Sequence, residues 1–319
     1  MAGEESDGVL DLMVEQLRVE SDGVLSVVLV DPEGGLLPVW APGAHVDLGL
    51  PHGDPGMIVR QYSLCGDPAD RSRYTVAVLR EPASRGGSLY VHDVLRPGDL
   101  VEVGGPRNHF ALVPAQRYCF FAGGIGITPI LPMLTEAERR GVPWTLTYGG
   151  RRRASMAFLD RLGAYGDRVS VVPEEEQGRP DLAALLGTPE AGTAVYCCGP
   201  AGLLDAVQVA CARWSADAVH LERFTPKVVD ASPDRAFDVV CARSGGSFTV
   251  GPGQSILDGL ETLGVAVPNA CRTGVCGSCE TKILDGEPEH RDSVLAPDFS
   301  TTLMVCVSRA AGDRLVLDL

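Results

Sequence analysis

Cys271-Arg-Thr-Gly-Val-Cys276-Gly-Ser-Cys279, followed after a 26-residue gap by Cys306, is the stretch from which the rest of the chain can be read. The spacing C-x4-C-x2-C…C matches plant-type [2Fe–2S] ligation. Two irons need four thiolates. One tight loop can supply three of them and a distant segment the fourth. Gly274 and Gly277 let that loop curl, so that its amides can point at sulfur. Zinc also takes four cysteines, but usually as two close pairs, whereas the pattern here is three plus one. The expected metal ligands are therefore Cys271, Cys276, Cys279 and Cys306, in a region that carries single electrons.

The 319 residues are enough for two or three domains, each with its own core. Apolar residues make up 45% and charged residues 22%, as in ordinary globular proteins. No apolar run is long enough to predict a membrane span, and the acidic start does not resemble a secretory signal. A cytoplasmic location is expected. In that compartment the six cysteines outside the motif (Cys65, Cys119, Cys197, Cys198, Cys211, Cys241) should be reduced and mostly buried. A net charge of −15 argues against nucleic acid as a partner.

Three composition regimes follow one another. Residues 11–114 hold short β-rich runs at 24–30, 46–50, 61–65, 74–80 and 99–103, the pattern of an antiparallel β-barrel. Residues 118–224 alternate strand and helix, which predicts an α/β parallel, doubly wound sheet. Its expected strands are 118–122, 144–148, 169–173 and 194–198, and its expected helices 129–140, 154–162, 181–186 and 202–214. From 237 an α+β module is expected, with strands 237–242 and 247–250, a helix at 255–263 and a late strand, 303–308, carrying Cys306. The expected domains are 1–114, 115–224 and 237–319, joined by a linker at 225–236.

Five further motifs carry chemistry. Arg60-Gln61-Tyr62-Ser63 offers a guanidinium fork, a ring and a hydroxyl on one strand. Arg85-Gly86-Gly87-Ser88 precedes a helical-looking stretch and suits a phosphate; alone it could be a glycine-rich turn. Gly124-Ile125-Gly126-Ile127-Thr128-Pro129 joins a strand to a helix, as a dinucleotide phosphate loop does, but ends in proline instead of glycine. Proline in the first turn of a helix loses no hydrogen bond. Beyond the next strand, Arg151, Arg152 and Arg153 stand where an acid would favour NAD and an arginine would accommodate NADP. Cys198 and Gly199 end a strand at the carboxyl edge of the expected sheet, where ligands bind.

In this order the motifs resemble the phthalate dioxygenase reductase family, which includes vanillate O-demethylase reductase subunits. The resemblance spans nearly the whole chain and implies an FMN-binding barrel, an NAD(P)-binding α/β domain and a β-grasp ferredoxin domain. By resemblance, Arg60, Tyr62 and Ser63 hold the flavin, with Ser63 bonded near its hydride-accepting nitrogen, while Arg85, Gly87 and Ser88 bind the flavin phosphate. Gly124, Gly126, Thr128 and Pro129 shape the nucleotide site, Cys198 and Gly199 face the nicotinamide, and Phe224 covers the flavin; Arg151, at a position where family members specific for NADH often carry other residues, is a further candidate contact to the nucleotide. The cofactors implied are FMN, a [2Fe–2S] cluster and NADH or NADPH. The implied role is that of a monomeric reductase that feeds a Rieske oxygenase, without nucleic acid or membrane. A cytochrome P450 acceptor and a non-catalytic redox-sensing module are the alternatives.

Overall fold

Six strands from the first hundred residues pair antiparallel throughout: β1 Leu10–Ser21, β2 Val24–Val30, β3 His45–Pro51, β4 Met57–Ser63, β5 Arg73–Leu79 and β6 Leu100–Arg107. Their order across the sheet is β4-β3-β6-β1-β2-β5, and a bridge between Leu64 and Val76 brings its two edges together. These positions come from a computed structural model, which describes residues 8–51, 56–84, 86–227, 233–295 and 301–319. Alternation sends Val27, Leu29, Val46, Leu48, Tyr74 and Val76 into one core. The short helix α1, Gly87–Asp93, follows β5.

The second sheet is wholly parallel, in the order β11-β10-β7-β8-β9, from β7 Arg117–Gly123, β8 Trp144–Gly150, β9 Val169–Pro173, β10 Thr193–Cys198 and β11 Val219–Glu222. Strand β10 is buried along its whole length, as expected where helices cover a parallel sheet. Helix α2, Ile127–Arg140, leaves β7 through one 3-10 turn and stops at Gly141, whose φ of 64° allows a left-handed cap. The two sheets share one unit, Met1–Glu222. Tyr196 of β10 contributes to this: its hydroxyl donates to Ala111 O at 2.9 Å and accepts the Val113 amide at 2.8 Å, fastening the crossing segment to the parallel sheet.

One expected helix is shorter than its pattern suggests. Residues 154–162 do not form a single helix, because Phe158 takes a left-handed φ of 64° and α3 spans only Leu159–Gly163. Helices α4 Glu174–Gln177, α5 Leu182–Leu186 and α6 Ala201–Ala210 complete this unit. Five of the six cysteines outside the motif are buried, and Cys119 is half-buried.

The second unit, Arg223–Leu319, holds a five-stranded sheet in the order β13-β12-β18-β14-β16. Its strands are β12 Phe237–Cys241, β13 Ser247–Val250, β14 Glu280–Asp285, β16 Thr302–Met304 and β18 Arg314–Leu317; β15 Pro288–Glu289 and β17 Arg309–Ala310 pair separately. Helix α7, Ile256–Leu263, starts with a capping box, Ser255 and Asp258 bonding each other's amides at 3.1 and 3.0 Å. The late strand is also shorter than expected. It ends at Met304, and Cys306 lies in the turn that follows, where the Val307 and Ser308 amides both donate to Met304 O.

Candidate functional site: three cofactor-binding regions

Strand β4 carries Arg60, Tyr62 and Ser63, and α1 begins with Gly87 and Ser88. The two elements meet at Arg60: a Cβ on Gly87 would lie 2.6 Å from Arg60 Cγ. Glycine therefore lets the arginine side chain cross the helix start, and a guanidinium stands beside bare backbone, an arrangement that suits a phosphate. Ser88 Oγ accepts the Glu81 amide at 3.2 Å, so its hydroxyl also pins the loop ahead of the helix. Ser63 is buried opposite His45 of β3. Burial pushes the Tyr62 phenol up to about 12, so it stays neutral. Arg85 lies outside the described residues.

The carboxyl ends of β7 and β10 lie side by side and interlock through glycines. A Cβ on Gly126 would fall 2.3 Å from Cys198 O, and one on Gly199 would fall 2.9 Å from Gly123 N. Close backbone packing is thus enough to require Gly126 and Gly199. Gly124 is different, with a φ of 54° and open space where a side chain would stand. Tyr148 donates to Gly124 O at 3.1 Å, and buried Thr128 donates to Ile125 O at 2.9 Å, so both hydroxyls shape the loop from behind. Pro129 is buried in the first turn of α2.

Cys198 lies beside a residue not singled out in the sequence. Its thiol donates to Glu222 Oε2 at 3.6 Å, across the register pair that ends β10 and β11. Burial pushes the Glu222 carboxyl up to about 8, and burial again, with Glu222 next in weight, raises the Cys198 thiol well above its ordinary value. An acid ending the otherwise apolar Val-His-Leu-Glu strand is the signal that could have found it. At the end of β8, Arg151 is exposed and its carbonyl accepts the Glu175 amide at 3.1 Å. Arg153 makes a two-point pair with Glu176, at 3.1 and 2.7 Å. A cavity of about 500 Å³ in the same unit, between the β1–β2 hairpin and residues 153–161, is lined by Arg153 but by none of the residues expected to hold the flavin.

In the second unit Gly274 and Gly277, with φ of 72° and 74°, curl the cysteine loop, joined by Arg272 at 53°. A side chain on Gly274 would meet Val307 Cγ2 at 2.6 Å. Among the described residues no three metal-binding side chains converge on one point. The four sulfurs are nonetheless neighbours: Cys271 interacts with Cys276 and Cys306, and Cys279 with Cys306 and Cys271. The thiols of Cys276 and Cys306 hold the Cys271 thiol below its ordinary value, helped by the Thr273 and Val275 amides. The Ser278 hydroxyl lies 3.0 Å from Cys276 Sγ. Donors aimed at sulfur fit a thiolate-ligated cluster. Phe224, in the same unit, is 41% exposed.

An antiparallel sheet, a parallel sheet with a strand–glycine–helix turn, and a four-cysteine module define an oxidoreductase built for electron transfer. Residues 239–311 match the family model described as a 2Fe-2S iron-sulfur cluster binding domain. The chain is 44% identical over 316 residues to the phenoxybenzoate dioxygenase subunit beta of Ectopseudomonas oleovorans, covering 97% of each. It is 37% identical to the solved phthalate dioxygenase reductase, covering 98% of each with a TM-score of 0.72. An intact type IV self-sufficient cytochrome P450 monooxygenase is 43% identical with a TM-score of 0.91, over 98% of this chain and 41% of that one. The chain belongs to the phthalate dioxygenase reductase family. As a member it is an NAD(P)H-dependent oxidoreductase that uses FMN and a [2Fe–2S] cluster.

Proposed function

We propose that this chain is the reductase component of an oxygenase system, drawing electrons from NAD(P)H and delivering them one at a time to a Rieske-type oxygenase. The observation that carries this reading is the occurrence, in one polypeptide, of four neighbouring cysteine sulfurs and a glycine turn ending a parallel strand. FMN, when bound, supplies the conversion between the electron pair of a hydride and the single electrons a [2Fe–2S] cluster takes. The protein's part is binding and orientation. Arg60, Gly87 and Ser88, with Arg85, take the flavin phosphate, and Tyr62 and Ser63 line its ring. Gly124 gives a nucleotide open backbone to lie against, on a loop that Gly126, Thr128 and Pro129 hold in shape. Cys198 and Gly199 face the nicotinamide, and Arg151 stands at its adenosine end. Cys271, Cys276, Cys279 and Cys306 ligate the cluster.

In finer terms, the antiparallel sheet with its bridged edges is read as a β-barrel at 1–114, the parallel sheet as a doubly wound domain at 115–224, and the cysteine module as a β-grasp at 237–319, with a linker at 225–236. No helix among the described residues is long and apolar enough to cross a membrane. The protein is taken to be a cytoplasmic monomer. A second reading, delivery to a cytochrome P450, is favoured by the 43% identity to part of a self-sufficient P450. Anaerobic mixing of the NADH-reduced holoprotein with a Rieske oxygenase and with a P450 separates the two. Reoxidation by the Rieske protein is expected; reoxidation by the haem protein alone reverses the assignment. Steady NADH consumption with cytochrome c as acceptor is also expected, and its absence in cofactor-replete protein would favour a sensor.

A further inference from the structure

The turn after β15 packs against the cysteine loop, and at its centre is a buried acid that the cysteine motif does not mark. The Asp292 side chain is fully buried. Its Oδ1 accepts the Val294 amide at 2.9 Å and the Leu295 amide at 2.7 Å. Its Oδ2 accepts the Ser308 hydroxyl at 3.2 Å, and His290 Nδ1 lies 3.4 Å away. Ser308 also accepts the Arg291 amide at 3.2 Å, and it sits two residues beyond Cys306 in the turn built on Met304 O. On the other side, the Ser293 amide donates to Gly274 O at 2.8 Å, and a Cβ on Gly274 would come within 3.0 Å of Asp292 Cα. The Asp292 turn therefore meets the loop bearing three cysteines through its backbone, and its carboxylate ties it to the turn bearing the fourth.

We propose that Asp292 is a positioning residue of the iron–sulfur centre, holding the Gly274 loop and the Cys306 turn in register, and that its charge makes the centre harder to reduce. The inference rests on the cluster-ligand reading above. Reduction adds an electron, so a fixed negative charge close by in a poorly screened interior opposes it. The neighbouring Arg291 does little to cancel that charge, because it is paired with Asp234 and Glu289. Hydrogen bonds from two amides and a hydroxyl fix the carboxylate, so its effect is carried by geometry that a substitution can separate from charge.

Asp292→Asn keeps the size of the side chain and an oxygen for the two amides but removes the charge. In the full holoprotein at one fixed pH, EPR-monitored redox titration of this variant should show a cluster about tenfold easier to reduce, an upward shift of about 59 mV for one electron. Iron content and the visible spectrum should match the parent. Asp292→Ala removes both roles and should release iron to a chelator severalfold faster than the parent. Full iron with an unchanged potential in the Asn variant, or parental iron release in the Ala variant, overturns the proposal. If the Asn variant does not assemble, Ser308→Ala decides by chelator release: faster release supports the proposal and parental release overturns it. A parent protein with no iron–sulfur spectrum after reconstitution refutes the ligand reading itself, a distinguishable result.

Discussion

The Cys198 thiol and the Glu222 carboxyl meet at 3.6 Å where β10 and β11 end together, at the carboxyl edge of the parallel sheet. Glu222 is partly buried at the strand end, and desolvation pushes its carboxyl up to about 8. The folded protein therefore keeps this proton over a range where the unfolded chain, with an ordinary carboxyl, has lost it. Folding stability must then fall as pH rises from about 4.5 toward 8 and level off above that. The loss is on the order of a few kcal/mol. All three tryptophans (Trp40, Trp144, Trp214) lie in the first unit, so urea unfolding followed by their fluorescence reports on it. Glu222→Gln should flatten the slope across that window, and a slope equal to the parent's would refute the assignment.

Replacement of Ser63 tests the flavin region. The residue is buried at the end of β4, and its hydroxyl is assigned to the hydride-accepting side of the ring. One lost hydrogen bond corresponds to roughly threefold to tenfold in rate. Ser63→Ala should slow flavin bleaching by NADH in stopped flow by that factor. Parental bleaching would remove Ser63 from this role.

The choice of coenzyme depends on a pair the sequence does not reveal. Arg153 is held by Glu176 at two points, so it is not simply available to the extra phosphate of NADPH. NADH is expected to be the better donor. Both side chains are about half exposed, so solvent screens the pair and its effect is small. Glu176→Gln should therefore raise the NADPH-to-NADH ratio of kcat/KM by no more than about fivefold. A ratio unchanged or lowered would refute this role for the pair.

Serine in place of Cys276 separates iron from zinc. The sulfur of Cys276 interacts with that of Cys271. In Cys276→Ser the visible iron–sulfur absorption should be lost while the flavin bands persist. A spectrum identical to the parent's would mean that the cysteines hold no cluster.

Much of the arrangement is legible locally. Strand β2 spans the same residues in pattern and in structure, because its short run of apolar, β-branched side chains is short-range information. Serine and aspartate three positions apart likewise announce the start of α7. Strand β1 was not among the expected strands: Leu10–Ser21 exposes much of its length, so polar residues interrupt the pattern. The stretch at 154–162 reads as a helix, but Phe158 at φ 64° breaks it, and propensity gives no sign of that. Cys306 reads as a strand residue, yet it occupies a turn beside the Gly274 loop.

Sequence alone determined the chemistry on offer: four thiols at cluster spacing, a glycine turn between strand and helix, and an arginine–tyrosine–serine strand. These signals survive in one dimension because ligation and tight turns constrain residues a few positions apart. Tertiary structure decided which polar groups are buried and with what partners. Glu222 meets a thiol 24 positions earlier, and Asp292 a hydroxyl 16 positions later. Desolvation and long-range hydrogen bonding belong to the folded neighbourhood, so no local pattern encodes them.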